Sequence, residues 1–182
     1  MSYREILGDI LDSNSTNIIN TIGMDIEMNN GLARLIDTRY PMVKNIINTA
    51  KAESGTWRIP FIAVVSTSYD TTDLTNDTNR VFINFITKND SNRPTDIEGF
   101  KRDFTSGINL LKKYIMKQHN LDIMSNHEIF KEVSMPLIGH DVYGLDWTNF
   151  VKPLIKRLST DTGVNIKVYF NDNNRHLMEN GV

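Results

Sequence analysis

The chain has 182 residues, 20 Lys and Arg against 22 Asp and Glu, and a net charge of -2. It is long enough for one domain with a full core, and its 40% hydrophobic and 23% charged residues exclude a wholly disordered chain. Basic residues are scattered, which argues against a general electrostatic grip on nucleic acid. The absence of cysteine removes thiol chemistry, disulfides and Cys-zinc sites.

The N-terminus shows no basic-then-apolar leader pattern, and no apolar run approaches the ~20 residues of a membrane span. A chain made in a cytoplasm is expected. Ser2 and Glu5 form a capping box ahead of an apolar stripe, Tyr3, Ile6, Leu7, Ile10 and Leu11, which predicts a helix over 2–12. Residues 13–30 are polar and irregular, with Met24, Ile26 and Met28 alternating as in a short extended piece, so 1–30 is expected as a helix plus a connecting arm.

The main α+β domain is expected over 31–170. Leu35, Ile36, Tyr40, Val43, Ile46, Ile47 and Ala50 predict helix, with Pro41 either kinking it or opening a second one. Alternation over 57–69 predicts a strand with Pro60 near its start, and Val81, Ile83 and Phe85 a second. The intervening Asp70–Asn79 tip is too long for a tight turn, which makes it a natural contact surface. Thr95 and Glu98 then box the start of the clearest helix, carried by Ile97, Phe100, Phe104, Ile108, Leu111 and Ile115. Residues 129–135 and 164–170 predict two more strands, separated by a helix over 145–159 capped by Asp146. The sum is a small antiparallel or mixed sheet of about four strands against amphipathic helices, followed by a polar tail at 171–182 that is mobile or ordered by a partner.

The chemically densest window is Ser134–Trp147, SMPLIGHDVYGLDW. His140-Asp141 is the type of doublet seen in metal-dependent phosphohydrolases, but the flanking Gly139 and Gly144 suit a turn, and the other histidines and acids fall at no matching spacing. Asp70, Asp73 and Asp77 lack the glycine and closing glutamate of a calcium loop. No nucleophile elbow, Walker motif or Gly-x-Gly-x-x-Gly follows a strand. Trp57 and Trp147 adjoin apolar segments and are expected in the core, while Lys152, Lys156 and Arg157 suggest a basic strip on a solvated helix face.

The strand pair Trp57–Tyr69 and Arg80–Lys88, the helix Thr95–Asn120 and the strand Ile129–Met135, about half of the chain, resemble the tail-terminator and head-to-tail connector proteins of tailed bacteriophages. Asparagine at about one residue in nine, with no cysteine and a polar tail, is similar to virion proteins of AT-rich phages, including the crAss-like group. The resemblance implies a non-enzymatic virion subunit forming a homo-oligomeric ring around the DNA channel. It would bind a portal or neighbouring ring and a tail component, with DNA passing without sequence-specific contact, no membrane and no cofactor. Asp70, Asp73, Asp77, His140, Asp141, Lys152, Lys156 and Arg157 are the expected subunit contacts, with no catalytic or metal-binding residue. The alternatives are a small metal-dependent hydrolase using the His140-Asp141 region and a phage protein directed at the host.

Overall fold

A computed structural model describes residues 2–67, 79–125, 130–141 and 143–179. In chain order it comprises β1 (Tyr3–Leu7), β2 (Asn17–Ile22), α1 (Gly31–Arg39), α2 (Pro41–Ser54), β3 (Phe61–Ser66), β4 (Val81–Ile86), α3 (Ile97–Ser125), β5 (Glu132–Met135), a π-helical turn (Trp147–Val151) continuing into α4 (Lys152–Thr162), and β6 (Asn165–Phe170). Among the described residues the strands form one six-stranded sheet in the order β1-β6-β5-β2-β4-β3. All neighbours are parallel except β3 and β4, which are antiparallel.

Of the two expected arrangements, antiparallel or mixed, the sheet is mixed, and it has six strands rather than about four. The two missed strands lie in the first 22 residues. The predicted N-terminal helix is instead β1, an edge strand registered on β6 from Tyr3 opposite Ile166 to Leu7 opposite Phe170. Its apparent helical stripe arises because a strand and the turn after it, where Ile10 and Leu11 are buried, happen to space apolar residues three and four apart. The polar arm contains β2, a central strand paired on both sides. Asn17 and Asn20 disguise it, yet both are buried and bonded: Asn17 Nδ2 donates to the Glu132 carbonyl at 3.1 Å, and Asn20 Nδ2 to Asn84 Oδ1 at 3.1 Å.

Each face of the sheet carries its own core. Ile18 and Ile22 of β2 and Phe82 and Ile86 of β4 pack under α1 and α2 with Ile36, Val43 and Ile47. Ile19, Phe85, Met135 and Val168 face the other way, onto Phe104, Leu111 and Ile115 of α3 and Ile155 of α4. Helix-on-both-faces burial explains why β4 reads as a near-continuous apolar run, with five of its six residues buried. Tyr40 separates α1 from α2, so Pro41 opens a second helix, where its missing N–H costs nothing. At the start of α3 the capping acceptor is Asp96 rather than Thr95, with Gly99 N–H donating to Asp96 Oδ1 at 2.9 Å.

The chain beyond β6, expected as a mobile or partner-ordered tail, folds back over the described residues 171–179. Its 3₁₀ turn at Arg175–Leu177 lies over α4, and Asn174 is buried. The anchor is an ionic cluster with a buried pair at its centre and a surface pair outside it. Lys152 Nζ stands 2.8 Å from Glu5 Oε1, with side chains 7% and 9% exposed. Glu5 also accepts Tyr3 Oη–H at 2.8 Å and the Glu179 N–H at 2.6 Å, and Lys156 bonds Glu179 from above the Tyr3 ring. No helix among the described residues is long and apolar enough to cross a membrane.

Candidate functional site

In an open parallel sheet, ligands collect beyond the carboxyl ends of the strands where neighbouring crossovers diverge. Here that boundary lies between β2 and β5: the connection from β2 carries α1 and α2 onto one face, and the connections into β5 and β6 carry α3 and α4 onto the other. A cleft of about 1120 Å³ opens at this edge. It lies between the Gly8–Ile10 turn, the outer face of α1 at Arg34, Leu35 and Thr38, the start of the β5 loop, and residues 169–174. A narrow neck of about 40 Å³ continues from it over Asn20, Asn30, Gly31 and Gly139, sharing Gly31, Leu32, Pro136 and Asp141 with the wide part. At the far end Thr21, Asn29, Ser91 and Tyr143 border a further small hollow.

Three loops shape this channel. The first follows β1: Gly8 N–H donates to the Phe170 carbonyl at 2.9 Å, and Asp9 Oδ1 accepts Leu11 N–H at 2.8 Å. The buried Arg80 guanidinium holds the turn beneath, donating to the carbonyls of Leu11 at 2.7 Å and Ser13 at 2.9 Å. The second runs from β2 into α1. Ile26 and Met28, predicted as a short extended piece, take positive φ of 56° and 50°, which is costly for non-glycine residues and is held here by their full burial. It ends at Asn30, whose side chain does not cap α1; the helix begins at Gly31 with no acidic residue in its first turn. The amide end of α1 therefore faces the neck carrying its partial positive charge.

The third loop is the Ser134–Trp147 window. Leaving β5, it turns on backbone bonds from Ile138 N–H to Pro136 O (2.8 Å), Gly144 N–H to His140 O (2.8 Å) and Leu145 N–H to Gly139 O (2.9 Å). Gly139 and Gly144 both sit at φ +75°; a Cβ on Gly139 would meet the Phe104 ring at 2.7 Å, and one on Gly144 the Arg93 guanidinium at 2.6 Å. The loop closes on the predicted cap, with Asn149 N–H donating to Asp146 Oδ1 at 3.0 Å, and that bond is the main force holding the Asp146 carboxyl below the usual range. Trp147 is buried, edge-on to Phe170. Trp57 stacks on Phe61 with ring centroids 4.4 Å apart.

His140 and Asp141 both face the cleft. His140 Nδ1 lies 2.7 Å from the Leu145 carbonyl, which can only accept, so Nδ1 carries a proton; in the neutral ring Nε2 is then the acceptor. Asp141 Oδ1 accepts from Asn174 Nδ2 at 3.1 Å. Its carboxyl is reached by solvent through the cleft yet walled by protein on most sides, and this desolvation raises its pKa against the smaller opposing effects of Asn174 and His140. Tyr143 is buried at the far end, and desolvation, with Asp25 and Asp90 nearby, keeps its hydroxyl protonated.

The other predicted contact residues scatter. Asp70, Asp73 and Asp77 lie outside the described residues. Of the expected basic strip, Lys152 departs by being buried against Glu5, whereas Lys156 pairs with Glu179 at the surface and Arg157 is open, 3.7 Å from Asp161. Among the described residues no group of three or more His, Asp or Glu stands where it could hold a metal. Sequence reasoning missed Gly8–Ile10, Asn30–Gly31, Asn20 and Asn174. The first two carry a usable signal, glycine at the junction of an apolar segment and a polar turn, while Asn20 and Asn174 carry none outside the fold.

No family model and no curated protein matches the chain. Solved structures do. The macrodomain of Mycobacterium tuberculosis DarG matches with a TM-score of 0.63 and 23% identity, over 91% of this chain and 97% of that one. The macrodomain of Thermus aquaticus DarG matches at 0.65 and 20%, over 92% and 97%. Thermosipho africanus DarTG in complex with ADP-ribose matches at 0.66 and 19%, over 90% of this chain and 41% of that one.

These matches overturn the resemblance to phage connectors and tail terminators, and with it the non-enzymatic virion ring and its portal, tail and channel-DNA partners. The segments that carried that resemblance have another setting: the predicted strand pair contains β3 (Phe61–Ser66) and β4 (Val81–Ile86), one antiparallel edge of a mostly parallel sheet, and the strong helix is a crossover into β5. The fold of this chain is the fold of the macrodomains.

Proposed function

We propose that the chain binds ADP-ribose, free or as the ADP-ribosyl group of a modified macromolecule, in the cleft at the carboxyl edge of its sheet. The observation that carries this reading is the shape and lining of the channel: a wide compartment narrowing to a neck floored by the uncapped amide end of α1 and the glycine turn at 139. Each part of the ligand finds a matching environment. A flat base suits the wide compartment, walled by Leu7, Leu35 and Phe170 and carrying the Asp9 carboxylate as an acceptor. A diphosphate suits helix-end and glycine-turn amides. Ribose hydroxyls suit the amides of Asn20 and Asn30. The Thermosipho DarTG structure, of the same fold and in complex with ADP-ribose, supports the assignment.

Calorimetric titration of the full chain tests it, with saturable one-to-one binding of ADP-ribose expected. Leu35→Trp, at an exposed position on the cleft wall, should crowd the side of the wide compartment where the base lies and weaken binding, while leaving the melting temperature within a few degrees. A folded wild-type chain that fails to bind ADP-ribose refutes the assignment.

One observation favours turnover as well as binding. In a neutral His140 the Leu145 carbonyl holds the proton on Nδ1, so that Nε2 is the nitrogen available as a general base. The chain would then hydrolyse the bond between ADP-ribose and a modified macromolecule: His140 takes a proton from the attacking water, the water oxygen joins the ribose carbon as the bond to the macromolecule breaks, and the freed macromolecular group leaves with the proton. His140→Ala should retain ADP-ribose binding and lose release; equal release by both proteins would remove His140 from the chemistry.

A further inference from the structure

Asp141 borders both the wide compartment and the neck, so a ligand that runs from one into the other must pass its carboxyl. The hydrogen bond that holds it comes from the neutral amide of Asn174, and among the described residues no lysine or arginine is paired with it. The groups around it are mixed in sign. Arg34 faces the cleft from α1, Asp9 from the first loop, Asp172 and His176 from the chain after β6, and His140 from its own loop. A carboxylate in this place is the opposite of what a diphosphate site calls for, whereas the amide end of α1 opposite it is favourable.

Resting on the ADP-ribose reading above, we propose that Asp141 is a specificity-determining residue: ionised, it opposes an anionic ligand in the neck, and the ligand binds with uptake of one proton onto Asp141. The balance is simple: a carboxylate, a proton and the anionic ligand give a neutral carboxyl beside bound ligand, and no bond of the ligand is broken. The concave surroundings that raise the Asp141 pKa bring this uptake closer to neutral pH. By linkage, affinity falls about tenfold per pH unit above the pKa of Asp141 in the free chain. The cleft would therefore rank ligands by charge at the neck, accepting uncharged nucleosides at any pH and diphosphates best in mild acid.

The test is calorimetry on the full chain and on Asp141→Asn, with ADP-ribose, ADP and adenosine, between pH 5.5 and 7.5 and in two buffers of different ionisation enthalpy. Asparagine keeps an oxygen for the Asn174 amide, and a melting curve checks the fold. Wild type should lose affinity for ADP-ribose and ADP as pH rises and take up about one proton on binding. Asp141→Asn should bind both at least tenfold more tightly at pH 7.5, with little pH dependence, while adenosine binds the two proteins alike. An unchanged pH slope in Asp141→Asn assigns the proton to His140 or His176 and overturns the proposal, as does an equal gain for adenosine, which carries no phosphate. If neither protein binds ADP-ribose or ADP at any pH, the ADP-ribose reading itself fails and this inference falls with it; binding by both without a difference sinks this inference alone.

Discussion

Replacing Glu5 with glutamine should loosen the clasp between β1, α4 and residues 175–179 by a measurable amount. The substitution removes the charge that neutralises Lys152, whose ammonium then retains the Leu177 carbonyl at 3.4 Å and Glu179 at 4.0 Å. Breaking a buried pair from one side costs roughly 3–5 kcal/mol. Glu5 lies close beneath the surface, and Glu179 compensates in part, so about 2–3 kcal/mol is expected. For a domain of this size that is a fall in melting temperature of about 4–12 °C. Denaturant and thermal unfolding followed by circular dichroism at pH 7 measure it.

The pH dependence sharpens the test. Desolvation pushes the Glu5 pKa up, but the bonds from Lys152, the Glu179 N–H and Tyr3 together outweigh it and hold the carboxyl below its ordinary value. A group depressed on folding contributes stability that is full above its unfolded pKa and is lost as pH falls through the folded one. Wild type and Glu5→Gln should therefore differ at neutral pH and converge in acid. Adding Lys152→Met should recover stability, because an apolar stem in a buried slot leaves no charge uncompensated. A Glu5→Gln loss below about 1 kcal/mol, or no recovery in the double variant, would show that the cluster is ornamental.

Three further outcomes are expected. Arg80→Met should cost about 3 kcal/mol in denaturant unfolding, because it strips the Leu11 and Ser13 carbonyls of their buried donor, and it should weaken ligand binding by releasing the Gly8–Ile10 wall. Asn84→Leu should lower affinity for ADP-ribose more than for ADP: Asn84 Nδ2 donates to the Ala63 carbonyl at 3.1 Å, which turns its Oδ1 towards Asn20 Nδ2 and so sets which atom Asn20 shows the neck. Equal losses for the two ligands would detach Asn20 from the terminal ribose. Gly139→Ala should destabilise by about 2 kcal/mol or more through its left-handed backbone and the Phe104 ring, read as a shift in denaturant midpoint.

The elements legible in the sequence are those whose burial is one-sided or uniform. In α3, Phe100, Phe104, Ile108, Leu111 and Ile115 fall on one stripe because only one face meets the sheet. In β6, every second residue is buried, giving the alternation read at 164–170. β1 and β2 escaped for opposite reasons. An edge strand buries little, and Leu7 is still 44% exposed, so β1 has no clean period of its own. A central strand buries everything, so Asn17 and Asn20 in β2 look like loop residues until Glu132 and Asn84 are seen beside them.

The candidate site was half visible. The 134–147 window was singled out for its glycines, His140 and Asp141, and its passage from a strand to a helix capped at Asp146 is as the sequence predicts. What a single segment cannot show is that two others close over it. Gly31 and Asn174 lie more than 100 positions before and 30 after the window's Pro136, and only the strand order brings them to one edge.

β1 has one partner, β6, and that partner lies at the opposite end of the sequence. During folding every crossover of the sheet can close before β1 has anywhere to go. The strand that supplies the Gly8–Ile10 wall thus arrives late, across a loop of more than 150 residues, and as an edge strand it can depart without breaking any other pairing of the sheet. Any such opening bares the outer backbone edge of β6, an unpaired parallel strand of the kind that accepts a foreign segment. Binding competence and resistance to edge-wise association therefore depend on the same five residues.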